Sequence, residues 1–159
     1  MILTEAPAKV LAASDTLSKK VIGEAFHVHR VLGPGFLESV YQNALVNRLK
    51  KAGLTVETGH QLPVYFEGDI VGNFTTDIIV EGRLLLELKA VSALVAAHEV
   101  QLVHYLTATK IDTGLLLNFG SKSLEIKRRT RGYLTSNLME EPGTVYSPSP
   151  NLINHINPV

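Results

Sequence analysis

At 159 residues, with 45% apolar and 19% charged side chains, the chain can bury one core without staples and is neither disordered nor fibrous in composition. Fifteen basic residues balance fifteen acidic ones, so overall charge gives no case for nucleic acid and any basic surface must be local. The absence of cysteine excludes disulfides, thiolate zinc sites, iron–sulfur clusters and a cysteine nucleophile, and it fits a reducing compartment.

Met1 to Ala13 is too polar and broken for a signal peptide, and no apolar run reaches the roughly 18 residues of a membrane span. A soluble cytoplasmic protein is expected. Ser14-Asp15 offers N-cap chemistry before Leu17, Val21, Ile22, Ala25, Phe26 and Val28, whose spacing predicts an amphipathic helix. Gly33-Pro34-Gly35 ends it. A second helix is predicted from about Phe36 to Lys51, closed by Gly53. Leu54 to Phe66, rich in Val, Thr and Tyr with Pro63 inside, reads as one strand or two short ones at an edge. After a turn at Gly68-Asp69, Val71–Val80 and Arg83–Ala90 read as a hairpin around Glu81-Gly82, apolar enough to be covered on both faces. Leu94 to Thr109 is a third helix, and Thr113–Phe119 with Ser123–Arg128 a second hairpin. Beyond about Met139 the prolines, serines and asparagines predict an extended tail. Residues 1–13 thus read as an N-terminal extension, 14–138 as one α/β domain with a mixed sheet, and 139–159 as a tail.

The chemistry concentrates in Asp77-Ile-Ile-Val-Glu-Gly-Arg-Leu-Leu-Leu-Glu87-Leu-Lys89. Glu87 and Lys89, two apart on a strand, share one face, while Leu84, Leu86 and Leu88 take the other. A carboxylate and an ammonium among leucines are costly unless paired or bound. Asp77 reaches their face only in one hairpin parity. A two-residue loop at Glu81-Gly82 opposes Asp77 to Leu86 and puts it on the wrong side. A three-residue loop, Val80-Glu81-Gly82, pairs Ile79 with Arg83 and Asp77 with Leu85, on the side of Glu87, and needs positive φ at Gly82. Two carboxylates and a lysine on one face form a hard-oxygen site for Mg²⁺ or Mn²⁺. The plainer alternative is an ion pair, Glu87–Lys89 or Asp77–Lys89, that only closes the sheet. On the helices, Glu38 and Tyr41 lie one turn apart on one side, and Gln101 and Tyr105 share a face with His98. A first-turn glutamate and a solvated polar stripe are the ordinary meanings of these spacings.

Taken together, these residues resemble the GxxExxY proteins, a group within the PD-(D/E)xK nuclease superfamily. The resemblance runs from about Leu17 to Arg128. It rests on His29-Arg-Val-Leu-Gly-Pro-Gly-Phe-Leu-Glu-Ser-Val-Tyr41, Asp77, Leu86-Glu-Leu-Lys-Ala-Val91, His98-Glu-Val-Gln-Leu-Val-His-Tyr105 and Gly114-Leu-Leu-Leu-Asn-Phe-Gly120. It implies a restriction-endonuclease-like α/β/α sandwich with a central mixed sheet. It also implies Asp77 and Glu87 as metal ligands with Glu38 and the Leu88 carbonyl, Lys89 assisting the attacking water, and Gln101 and Tyr105 lining the site as in RecB-like members. Thr76 stands where the superfamily usually has proline, and RecB-like relatives with an iron–sulfur cluster are excluded by the missing cysteines.

His98-Glu99 is no zinc-protease helix, because His104 follows six residues on rather than four. His27 and His29, two apart on a helix, cannot share one metal. Lys127-Arg-Arg-Thr-Arg131 is the dense basic run, a solvated strand end or a phosphate contact. With Tyr41, residues Lys127, Arg128, Arg129 and Arg131 are the expected nucleic-acid contacts. The function expected is a nuclease using Mg²⁺ or Mn²⁺, acting on nucleic acid with DNA foremost, with no membrane partner and a homodimer left open. The alternative is a nuclease-fold module that binds or assembles on nucleic acid with little cleavage.

Overall fold

The computed structural model describes residues 6–133. The expected tail, 139–159, lies outside the described residues. Helix α1 is Ala6–Leu32, so Ser14 and Asp15 sit inside it and do not cap it. The alanine, leucine and lysine of the preceding segment are strong helix formers, and Pro7 is tolerated in a first turn, which carries the helix back past the expected cap. Gly33, at φ +67, closes α1 with its N–H on the His29 carbonyl at 2.8 Å. Helix α2 is Glu38–Lys51. Gly53 at φ +81 and the bond from Leu54 N–H to the Leu49 carbonyl, 3.1 Å, end it in a Schellman closure.

The Leu54–Phe66 segment makes two strands in two different sheets, β1 (Val56–Thr58) and β2 (Gln61–Phe66). Strand β3 (Asp69–Thr75) folds back on β2 across Glu67-Gly68, both at positive φ, in a separate two-stranded arm. The expected long strand Val71–Val80 is therefore broken. The chain leaves β3 at Thr76, whose N–H and C=O bond to His60 and Gly59, and resumes as β4 (Ile78–Val80) in the main sheet. Strand β5 (Leu84–Lys89) pairs antiparallel with β4. Helix α3 (Ala96–Thr109) crosses over to β6 (Thr113–Asn118), parallel to β5, and β7 (Glu125–Thr130) returns antiparallel along the edge. The sheet order is β1-β4-β5-β6-β7.

Both faces of the central strands are covered, as their near-continuous apolar runs require. Leu84, Leu86 and Leu88 face α1 and α2, meeting Val21, Tyr41 and Leu45. Leu85, Ile79 and Leu116 face α3 through Leu102 and Leu106. This is a three-layer α/β/α sandwich around a five-stranded mixed sheet, as the resemblance implied. No helix among the described residues is long and apolar enough to cross a membrane.

The chain leaves β5 through a tight passage. Phe119 N–H bonds the Lys89 carbonyl at 2.8 Å, and buried Asn118 receives the Val91 and Gly120 N–H groups on Oδ1, both at 3.0 Å. Asn118 Nδ2 returns bonds to the Val91 carbonyl and to Glu125. A side chain at Gly120 would stand 2.4 Å from the Val91 backbone, so this position must remain glycine. The segment after Lys89 is therefore held from both sides.

Candidate active site

The site forms at the carboxyl end of β5, where β4 stops short. Val80 pairs with Leu84 and Ile78 with Leu86, around a loop of Glu81, Gly82 and Arg83. Gly82 has positive φ, +63, as the loop argument required, and Glu81 joins it at +53. The register lies two positions from the one expected but keeps its parity. Continued by one residue it sets Asp77 opposite Glu87, on the face of Glu87 and Lys89, instead of diagonal to it.

Asp77 has left the strand, and its Oδ2 accepts the Leu88 N–H at 2.7 Å, an amide that β4 is too short to pair. Glu87 is 4% exposed; its Oε1 lies 3.3 Å from Lys89 Nζ, and its Oε2 is buried with no hydrogen-bond partner. Lys89 Nζ also donates to Gln101 Oε1 at 2.7 Å, and Gln101 Nε2 donates to the Tyr105 hydroxyl at 2.8 Å. Gln101 and Tyr105, which the resemblance set beside the site, thus form a chain from α3 that holds the lysine. His98, on the same helix, instead accepts the Val95 N–H on Nδ1 at 3.1 Å.

Energetically the leucines decide this arrangement. Fully burying one is worth about 1.5–3 kcal/mol, and β5 buries Leu84, Leu85, Leu86 and Leu88. Together they outweigh the several kcal/mol that a buried carboxylate costs. That cost shows in the acidities. Burial, then the charge of Asp77, pushes the Glu87 carboxyl up to about 8, against the opposing pull of Lys89. Burial likewise raises Asp77, with the Leu88 amide and Lys89 opposing. Glu38, the first residue of α2 and half-buried, is raised by burial and by Asp77, and lowered by Lys89. The charge of Asp77 thus reaches both Glu87 and Glu38, although among the described residues no three acidic or imidazole side chains stand together as a ready metal cage. Asp77 is turned to the Leu88 amide and Glu87 to Lys89.

Tyr41 is not where its expected contact with nucleic acid needs it. It is fully buried, stacked on Phe119 at 4.9 Å, because the α2 face it shares with Leu45 packs on the sheet. Its hydroxyl donates to the Gly33 carbonyl at 2.5 Å and accepts the Phe36 N–H at 3.1 Å. Tyr41→Phe should cost about 1–3 kcal/mol, since both backbone groups lose their partner while ring packing is kept. An unchanged melting temperature would show that water replaces the hydroxyl there.

The basic run divides. Lys127 and Arg128 are exposed on β7, and Arg131 pairs with Asp112 at the surface, 2.8 Å. Arg129 turns inward to Glu99 of α3, with Nη2 at 2.5 Å and Nε at 2.9 Å from one oxygen, and packs over the Tyr133 ring. Two residues near the cluster escaped the sequence reading. Gln42 donates to the Asp77 carbonyl at 3.2 Å, and its position four after Glu38 was the signal. Phe74 of the arm stacks on Tyr105, centroids 4.3 Å apart, and only its lone aromatic ring in a polar strand marked it.

A family model described as the PD-(D/E)XK nuclease superfamily matches residues 15–129. No curated protein and no solved structure matches significantly. The matched span runs from the body of α1 to β7, most of the chain, so the chain belongs to the PD-(D/E)XK nuclease superfamily.

Proposed function

We propose that this chain hydrolyses phosphodiester bonds in DNA, as a member of the GxxExxY group and of the RecB-like branch that lacks an iron–sulfur cluster. The observation that carries the proposal is the buried cluster at the end of β5. Three carboxylates are raised by burial, Glu87 and Glu38 also by the charge of Asp77, with one lysine beside them and one Glu87 oxygen left without a partner. A cluster meant only to close the sheet would pair its charges and leave no oxygen orphaned.

The donors fit a hard divalent cation. Asp77, Glu87 and Glu38 offer carboxylate oxygens, the Leu88 carbonyl is a further candidate, and no soft ligand is near. Mg²⁺ or Mn²⁺ bound there would polarise a phosphoryl oxygen and lower the pKa of a bound water. Lys89, steered by Gln101 and Tyr105, presents its ammonium beside the carboxylates, where it orients the attacking water and offsets the charge gathering on the phosphate. Lys127, Arg128 and Arg131 are proposed as phosphate-backbone contacts along β7.

Purified protein incubated with end-labelled single-stranded DNA, duplex DNA and RNA should cut DNA in Mg²⁺ or Mn²⁺ and nothing in chelator. Cleavage that persists in chelator would contradict the metal-dependent mechanism, and binding without any cleavage would replace the enzyme by a binding module.

A further inference from the structure

Beside Glu38 lies a surface that is apolar yet belongs to neither core. Val31 at the end of α1 and Phe36, Leu37 and Val40 around the start of α2 are exposed, Phe36 by 49% and Leu37 by 77%. The protein holds them outward by built structure. Gly33 and Gly35, at φ +67 and +113, turn the chain; the buried Tyr41 hydroxyl ties the Gly33 carbonyl to the Phe36 N–H; and the Phe36 ring meets Tyr41 edge-on. Buried hydrogen bonds thus fix a loop whose apolar side chains face solvent, the reverse of what core formation requires.

The next residue is Glu38, which feels Asp77 and Lys89, so the patch borders the catalytic cluster. From Val31 to Asn47 the chain has no lysine or arginine, and its one charge is Glu38 itself. Such a rim carries no cationic side chain of its own to grip phosphates, and Arg30 adjoins it only at the α1 edge. Nucleic acid offers an apolar rim one matching surface, the faces of its bases, which are stacked away in a duplex and open in single strands and frayed ends.

We propose that Phe36 and Leu37 hold an unpaired base against this loop and so seat the adjoining phosphodiester at Glu38, Asp77 and Lys89. The preferred substrate is then an unpaired strand. The inference rests on the nuclease reading and adds the substrate class and the residues that select it.

The test compares full-length protein with Phe36→Ser, Leu37→Ser, the double variant and Phe36→Tyr. Dissociation constants for a labelled single strand and its matching duplex are measured in chelator, where nothing is cut, and KM and kcat for both are measured with Mn²⁺. Each serine variant should weaken single-strand binding and raise its KM about tenfold, the scale of one lost base–aromatic or base–apolar stack. Their duplex affinity should stay as in wild type, and Phe36→Tyr should retain single-strand binding. Unchanged single-strand affinity in the double variant overturns the inference while leaving a cutting enzyme intact. A fall in melting temperature or in particle mass in place of the affinity change also overturns it, since the patch then covers this chain or a second copy. Single-strand binding that needs both residues in a protein that cuts nothing upholds the base contact and overturns the nuclease reading instead.

Discussion

Without divalent cation, the protein should lose stability as pH rises from about 5 to about 9, and Glu87→Gln should remove most of that loss. Glu87 titrates near 4.5 in an unfolded chain and at about 8 here, so the fold favours its neutral form. For a carboxyl raised in this sense, the stabilising contribution is complete below the unfolded value and fades as pH climbs through the folded one. Asp77 and Glu38 shift in the same direction and add to the slope. A shift of this size in a side chain so buried corresponds to several kcal/mol, on the order of 10 °C in melting temperature for a chain of this length. Glutamine keeps the shape and cannot ionise, so its melting temperature should fall much less over the same range, with only the Asp77 and Glu38 contributions left. Mn²⁺ should reverse the trend in wild type, raising the melting temperature more at pH 8 than at pH 5. A wild-type curve already flat from pH 5 to 9 would mean that the cluster is solvated and ordinary.

Lys89→Ala should lower kcat by about a hundredfold or more with little change in KM, the usual consequence of losing a positioned charge that acts on the transition state. The fold should survive, because Lys89 lies at the strand's end and the leucines of β5 remain buried. Gln101→Leu should cost less, about tenfold, since Lys89 keeps its contact with Glu87 when its second partner is gone. Full activity in purified Lys89→Ala would place the chemistry in another site or another protein.

Much of this could be read from local pattern. Three-and-four spacing located the helices, and two-residue alternation put Glu87 and Lys89 on one face of β5 and Leu84, Leu86 and Leu88 on the other. Positive φ at Gly82 followed from requiring Asp77 on that face. What escaped depends on partners distant in sequence. Nothing in Val71–Val80 marks the break at Thr76, because it arises when β3 pairs with β2 and β4 with β5. Nor does the spacing of Glu38 and Tyr41 tell which faces water. One turn of helix separates them, yet the sheet buries Tyr41 while Glu38, at the helix end, stays half open. Composition likewise placed Arg129 among phosphate contacts, and only the packing of α3 against β7 turns it to Glu99.

In the proposed enzyme Asp77, Glu87 and Glu38 act as one cation site. Calorimetric titration of Mn²⁺ into wild type and Asp77→Asn tests it most directly, since asparagine can still accept the Leu88 amide bond but carries no charge. Wild type should bind the cation and release protons as Glu87 ionises, and Asp77→Asn should bind at least about tenfold more weakly, the loss expected when a charged oxygen ligand is removed. Equal affinity in the two proteins, or no binding by either, would contradict it.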